Sequence, residues 1–273
     1  YPVGLWWIKD RENANNHQLV TSESTHVINT PGNGSITYTA PTGNSVAWSW
    51  DYNSADPSTN GFEIIQYTGV NPGGSDMLNV PHRLGKPVDF FIVQKKVASQ
   101  PIWVWHSGGG TANGQFQLTA AGQGYGISSY WGEPSSTNIP VGTSSWLNEN
   151  GSDYLMYAWT QVDGYSAFGK YTGNSSTNGP FVYTGFKPAF VMYKSTGSSN
   201  WQIRDNARNP YNPCDEALYP NLTGSTTNSG NNVDLFSNGF KLGTGDGDQN
   251  QAGVTYIYAA FALNPFQSPV TAR

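Results

Sequence analysis

The chain has a single cysteine, Cys214, so neither an intrachain disulfide nor a thiolate metal site can be built from it. Charge is scarce as well: Asp, Glu, Lys and Arg together make up 11% of the 273 residues, against 14% aromatic. The eight Lys form no basic cluster and the formal net charge is −5, which excludes the positive face of a nucleic-acid binder. Long hydrophobic runs are missing too. The longest, Tyr256 to Leu263, is far short of the roughly 20 residues of a membrane-spanning helix, so no membrane insertion is expected. The helix formers Ala, Leu, Glu and Lys are thin, which argues against a helical bundle. There is no initiator Met and no signal-peptide pattern at Tyr1, which reads as a processed product or part of something longer.

What the chain has is ten Trp, sixteen Tyr and twelve Phe set among Gly, Ser, Thr and Asn. That is too much buriable surface for disorder, and the Asn-Gly pairs at 33, 60, 113, 150, 178 and 238 are hairpin signals. Short aromatic and β-branched runs bounded by turn residues predict strands. In Tyr154-Leu155-Met156-Tyr157-Ala158-Trp159 nearly every position is apolar, as in a strand covered on both faces. The fold class expected is all-β, with tandem antiparallel β-sandwich repeats of jelly-roll type.

The runs recur. GLWWIKD, DFFIVQKK and PAFVMYKS (starting at Gly4, Asp89 and Pro188) each precede a short second strand. Each later reaches a long aromatic strand: GNSVAWSWDY from Gly43, GSDYLMYAWTQV from Gly151 and GVTYIYAAFAL from Gly253. Tyr-Thr-Gly occurs at Tyr67, Tyr171 and Tyr183, and the first two lead from one unit to the next. Three units follow from this, near 1–76, 77–178 and 179–273, the first shortened in its middle and the third carrying a C-terminal tail.

Candidate chemistry is thin. His17, His26, His82 and His106 stand apart from partners, and the place of His106 is taken by Asp205 or Thr21 in the other units, which suits structural roles. Glu133 beside Trp131 and Glu149 near Trp146 are the best-placed acids for a polysaccharide-cleaving pair, but both sit in Ser/Asn-rich loops. Residues 243–250, GTGDGDQN, alternate oxygen donors suited to calcium without matching a strict motif, and a hairpin tip explains them equally. No catalytic residue, metal or cofactor is expected. Aromatic side chains in loops remain as candidate ligand contacts: Tyr125, Tyr130, Trp131, Trp146 and Tyr211, with packing over the sandwich ends as their other reading.

The stretches TGFKPAFVMYKSTGSSNWQIRDNARNPYN, LFSNGFKL and TYIYAAFALNPF resemble the repeated domain of unknown function carried by structural proteins of tailed bacteriophages, notably marine ones. GYSAFGKYTGNSSTNGPFVYTGFKP and NVPHRLGKPVDFFIVQKK are similar to the junctions between copies, and SPVTAR to the chain end. The resemblance implies a non-enzymatic component of an extracellular particle, the virion. It would be a tail fibre, receptor-binding or appendage protein that contacts other virion proteins or host surface glycans, assembled as a homo-oligomer with a trimer favoured. Alternatives are a capsid decoration or head-fibre protein, a polysaccharide depolymerase using Glu133 or Glu149, and a cellular adhesin or extracellular lectin.

Overall fold

In a computed structural model of the chain, the described residues are 4–21, 24–30, 35–36, 44–70, 77–96, 100–109, 114–122 and 130–262. The first strands are β1 (Gly4–Asp10), β2 (His17–Thr21), β3 (Ser24–Thr30), β4 (Ser35–Ile36) and β5 (Ser45–Asp51). They form one sheet in the order β4-β3-β2-β1-β5. Next come β6 (Phe62–Thr68), β7 (Leu78–Pro81), β8 (Phe90–Lys95), β9 (Trp103–His106), β10 (Gln115–Gln117), β11 (Asn138–Val141), the helical turn α1 (Ser145–Asn148) and β12 (Asp153–Trp159). These give a sheet β10-β9-β8-β12-β6 and a small outer pair β11-β7. Last are β13 (Ser166–Thr172), β14 (Phe181–Tyr183), β15 (Pro188–Ser195), β16 (Gln202–Asp205), β17 (Cys214–Ala217), β18 (Thr227–Phe236), β19 (Gly239–Leu242), the turn α2 (Gly247–Asn250) and β20 (Thr255–Ala262). Their sheets are β13-β20-β15-β16 and β14-β19-β18-β17. Every pairing is antiparallel, and the all-β expectation holds.

The sheets of β1, β8 and β15 turn one face each into a single central core. Trp50 marks the junction: its ring meets Trp159 of the second sheet at 5.7 Å, and Phe190 and Phe261 of the third at 5.7 and 5.2 Å, all steeply inclined. Such edge-to-face pairs add to the stabilisation from burial alone. The remaining faces of the second and third sheets are covered by the two outer sheets, each over a core of its own. The first sheet has no outer partner among the described residues.

This difference is written in the strands. β12 sends Leu155, Tyr157 and Trp159 to the central core and Tyr154, Met156 and Ala158 to the outer one, so it reads as an unbroken apolar run. β5 sends Val46, Trp48 and Trp50 inward and leaves Ala47, Ser49 and Asp51 exposed, so it alternates. Among the described residues the first group of strands is thus a single-layered sheet. The sandwich expectation is met by the second and third groups of strands.

Strand pairing crosses the expected unit boundaries. β6, placed at the end of 1–76, pairs along its whole length with β12, and β13, placed at the end of 77–178, pairs with β20. Each Tyr-Thr-Gly strand thus belongs to the group that follows it, and the second and third groups run from Phe62 to Trp159 and from Ser166 to Ala262. None is a separate bead, because all three feed one core.

Tyr-Thr-Gly has a definite job at two of its three positions. Tyr67 stacks on Tyr154 at 4.9 Å and donates its hydroxyl to the Leu147 carbonyl of α1 at 2.8 Å. Tyr171 stacks on Tyr256 at 5.0 Å and donates to the Gln249 carbonyl of α2 at 2.8 Å. The partner tyrosines bind the same turns: Tyr154 accepts from the Glu149 amide at 2.8 Å, and Tyr256 from the Gln251 amide at 2.9 Å. Glycine closes the motif because a Cβ on Gly69 would lie 2.2 Å from the Glu149 carbonyl oxygen, and one on Gly173 would lie 2.3 Å from that of Gln251. Tyr183 is different: it projects from β14 into solvent, 67% exposed, and shares none of these contacts.

Candidate binding surface

Of the five loop aromatics, Tyr125 lies outside the described residues. Trp131 is a core residue, 1% exposed, set edge-on against Phe91 at 4.7 Å. Its burial removes it from any ligand-contacting role. Tyr130 is half-buried and leans on Trp103 at 5.5 Å. Trp146 and Tyr211 stay accessible, at 42% and 83%.

Both are presented on fixed turns. Trp146 occupies the α1 turn, where the Ser144 hydroxyl accepts from its amide at 3.3 Å while neighbouring Leu147 is buried. Tyr211 stands beside Asn212, whose side chain donates to the Leu235 carbonyl at 3.1 Å and accepts from the Leu235 amide at 2.9 Å. An amide side chain used this way imitates a strand neighbour and anchors the loop to β18. Tyr211 also borders a pocket of about 170 Å³ with Lys187, Asn206, Asn209 and Asn212. No ring contact brings Trp146 and Tyr211 together among the described residues.

Apart from Glu133, the groups named as candidates for acid–base work are engaged in the architecture. Glu149 pairs with Lys95 and accepts from the Ser152 hydroxyl at 2.7 Å. Lys95 first, then Ser152, holds its carboxyl below the usual range, opposite to the raised pKa of a general acid. Glu133 is exposed in its loop. His106 donates Nε2–H to the Tyr258 carbonyl at 2.9 Å and accepts the Gly108 amide on Nδ1 at 2.9 Å, joining the second sheet to the third as a neutral ring. Burial lowers its pKa to about 4. His17 accepts the Trp7 indole N–H at 3.0 Å, and burial likewise pushes its pKa down. Asp205, which holds the place of His106 in register with Phe190, caps the next turn through the Ala207 and Arg208 amides and pairs with the Arg208 guanidinium at 2.6 Å. Burial raises the Cys214 thiol to about 11, which keeps it un-ionised.

The 243–250 loop uses its oxygen atoms on the protein. Asp246 caps α2 through the Asp248 amide at 2.9 Å, and Asp248 accepts from the Asn200 side chain at 3.1 Å. Asn250 is tied to Asn174, Ser176 and Thr244. Among the described residues no cluster of His, Cys, Asp or Glu suited to a metal is present.

A roomier concavity than the Tyr211 pocket lies elsewhere, between the first and third sheets and bordered by Phe62 of the second. It is a groove of about 540 Å³, with Trp48, Trp50, Phe190 and Phe261 on its floor and Ser49, Asp51, Asn60 and Asn206 at its rim. That size and an apolar floor with a few polar groups are what ligand-holding clefts have. Asn206 lines this groove and the Tyr211 pocket alike, so the two adjoin. None of the floor residues was marked by the sequence as a site, because core and floor use the same aromatic residues.

The family DUF7483, described as a domain of unknown function, matches residues 10–265 as one unit. No curated protein and no solved structure matches the chain.

Proposed function

Since the chain belongs to the DUF7483 family, a domain of unknown function, we propose that it is a non-enzymatic structural component of a virion. In this reading it is a tail-fibre, receptor-binding or appendage protein that meets other virion proteins or host surface glycans. The observation that carries this is the division of labour among side chains. Glu149 and His106 are bound into the frame, the one paired with Lys95 and the other bonded at both ring nitrogens, while large aromatics face outward, Tyr211 and Trp146 from fixed turns and Tyr183 from β14. A rigid frame displaying flat amphipathic rings suits recognition of sugars or proteins.

The case for a trimer changes. Three sheets of one chain bury their inner apolar faces together, so these faces are not what three chains would share. Oligomerisation is then a matter of outer surfaces.

The reading is tested by labelling intact particles with an antibody to this chain and by incubating the purified protein with host envelope material. Particle labelling, with binding weakened about tenfold or more in Tyr211→Ala, is expected. Release of reducing ends, abolished in Glu133→Gln, would overturn the reading in favour of a depolymerase.

A further inference from the structure

The three inner sheets differ in one place. In the second, the long aromatic strand β12 lies between β8 and β6; in the third, β20 lies between β15 and β13. In the first, β5 has β1 on one side and, among the described residues, no strand on the other. β6 and β13 also feed the central core, through Phe62 and Ile64 in one and Phe168 in the other. Among the described residues nothing equivalent stands beside β5, and the 540 Å³ groove runs along that edge, lined by five consecutive residues, Ala47 to Asp51.

The opposite wall matches too. β13 passes against the 3₁₀ turn Ser107–Gly109 so closely that a Cβ on Gly108 would lie 2.9 Å from the Gly169 carbonyl oxygen. The corresponding turn after β16, Asn206 and Ala207, borders the groove. The groove thus occupies, beside β5, the place that β13 takes beside β20.

Its edge is chemically prepared for a strand. Arg11 N–H donates to the Asn44 carbonyl at 2.9 Å, which sets the parity of the β1–β5 ladder. Val46, Trp48 and Trp50 bond β1, and Ala47, Ser49 and Asp51 turn their main-chain groups to the open side. The Asn60 side chain already donates to the outward Asp51 carbonyl at 3.3 Å. Alternating donors and acceptors at strand spacing are matched by another extended backbone, and the aromatic floor takes its alternate side chains.

We propose that this groove receives an extended strand from a partner polypeptide, with apolar side chains at alternate positions like those of β6 and β13, completing the first sheet in trans. Both described strands of that type, β6 and β13, are already engaged in other sheets, and the occupant proposed is a strand of the same pattern on another chain. The inference stands on strand pairing and is independent of the virion reading.

The test uses the full chain and a labelled synthetic peptide, GYSAFGKYTGN, the sequence of residues 164–174. Saturable one-to-one binding is expected, with the Ala47 and Ser49 amides becoming protected from hydrogen exchange. A scrambled peptide should not compete. Ser49→Pro removes an outward amide without touching the bonds to β1 and should weaken binding about tenfold or more. Ala207→Trp, a change at an exposed position that fills the groove from the far wall, should do the same without dependence on β5 folding. Val70→Ala, at an exposed apolar position outside the groove, should leave it unchanged, which separates the slot from unspecific apolar binding. Absent binding, protection confined to other amides, or full binding in Ala207→Trp would overturn the proposal.

Discussion

His106 and the Tyr-Thr-Gly tyrosines concentrate the physics that can be read from single side chains. His106 is buried with both ring nitrogens bonded, and its pKa is lowered to about 4 against the ordinary value near 6.5. The unfolded chain therefore takes up the proton first as pH falls. Stability should be full above about pH 6.5, decline by about 1.4 kcal/mol per pH unit between there and about pH 4, and level off below. His17 is lowered too and steepens the decline. Urea titrations at pH 7, 5.5 and 4.5 check this: His106→Gln, whose amide can keep both bonds without titrating, should flatten the slope by about 1.4 kcal/mol per unit. Equal slopes in the two proteins would refute it. The tyrosines give a second outcome at this scale. Tyr67→Phe and Tyr171→Phe each leave a carbonyl of a helical turn without its donor and should cost about 1–3 kcal/mol. Tyr183→Phe, at an exposed position, should cost nearly nothing. Three tyrosines in one tripeptide would then differ in a two-to-one pattern measurable by denaturant midpoints.

At the level of elements, the strands themselves were legible in the sequence. Runs such as that of β12 alternate between two apolar environments, so their residues are apolar throughout, and β5 shows the single-faced alternation of a sheet with one covered side. Partnership was less legible. Chain order suggests that the strands of Tyr67 and Tyr171 belong with the units they follow, whereas their hydrogen bonds carry them to the strands that come after. No local pattern encodes that choice, because both candidate neighbours are equally apolar. The tripeptide's glycine did hold a clue, since it marks close backbone approach between the strand and the turn after α1 or α2. Gly69→Ala and Gly173→Ala should each destabilise by about 2–4 kcal/mol, because a backbone carbonyl rather than a flexible side chain stands in the way. Gly151→Ala meets no atom within 4 Å, and only its left-handed φ of 74° is strained, so about 1–2 kcal/mol is expected there. Thermal midpoints of the three variants rank the two causes.

At the scale of the whole molecule, three sheets share one aromatic core, and that follows from numbers the sequence displays without explaining. So many Trp, Tyr and Phe could have been buried in three separate sandwiches, or between chains; only the convergence at Trp50 tells which. Of the candidate loop residues, Tyr211 and Trp146 proved accessible and Trp131 did not, because a Trp beside a short β-bridge to Val141 is drawn into the outer core. The groove beside β5 was hidden for a related reason: it is defined by the strand that does not line it. One shared core has a thermodynamic consequence. Its sheets cannot unfold one at a time without exposing the others, so the chain should melt as a single cooperative unit. Scanning calorimetry on the wild type and on Trp50→Ala tests this most directly. The account predicts one transition whose calorimetric and van't Hoff enthalpies agree, moved as a whole by a loss of about 3–5 kcal/mol in the variant; two or more separable transitions, with only one of them shifted by Trp50→Ala, would contradict it.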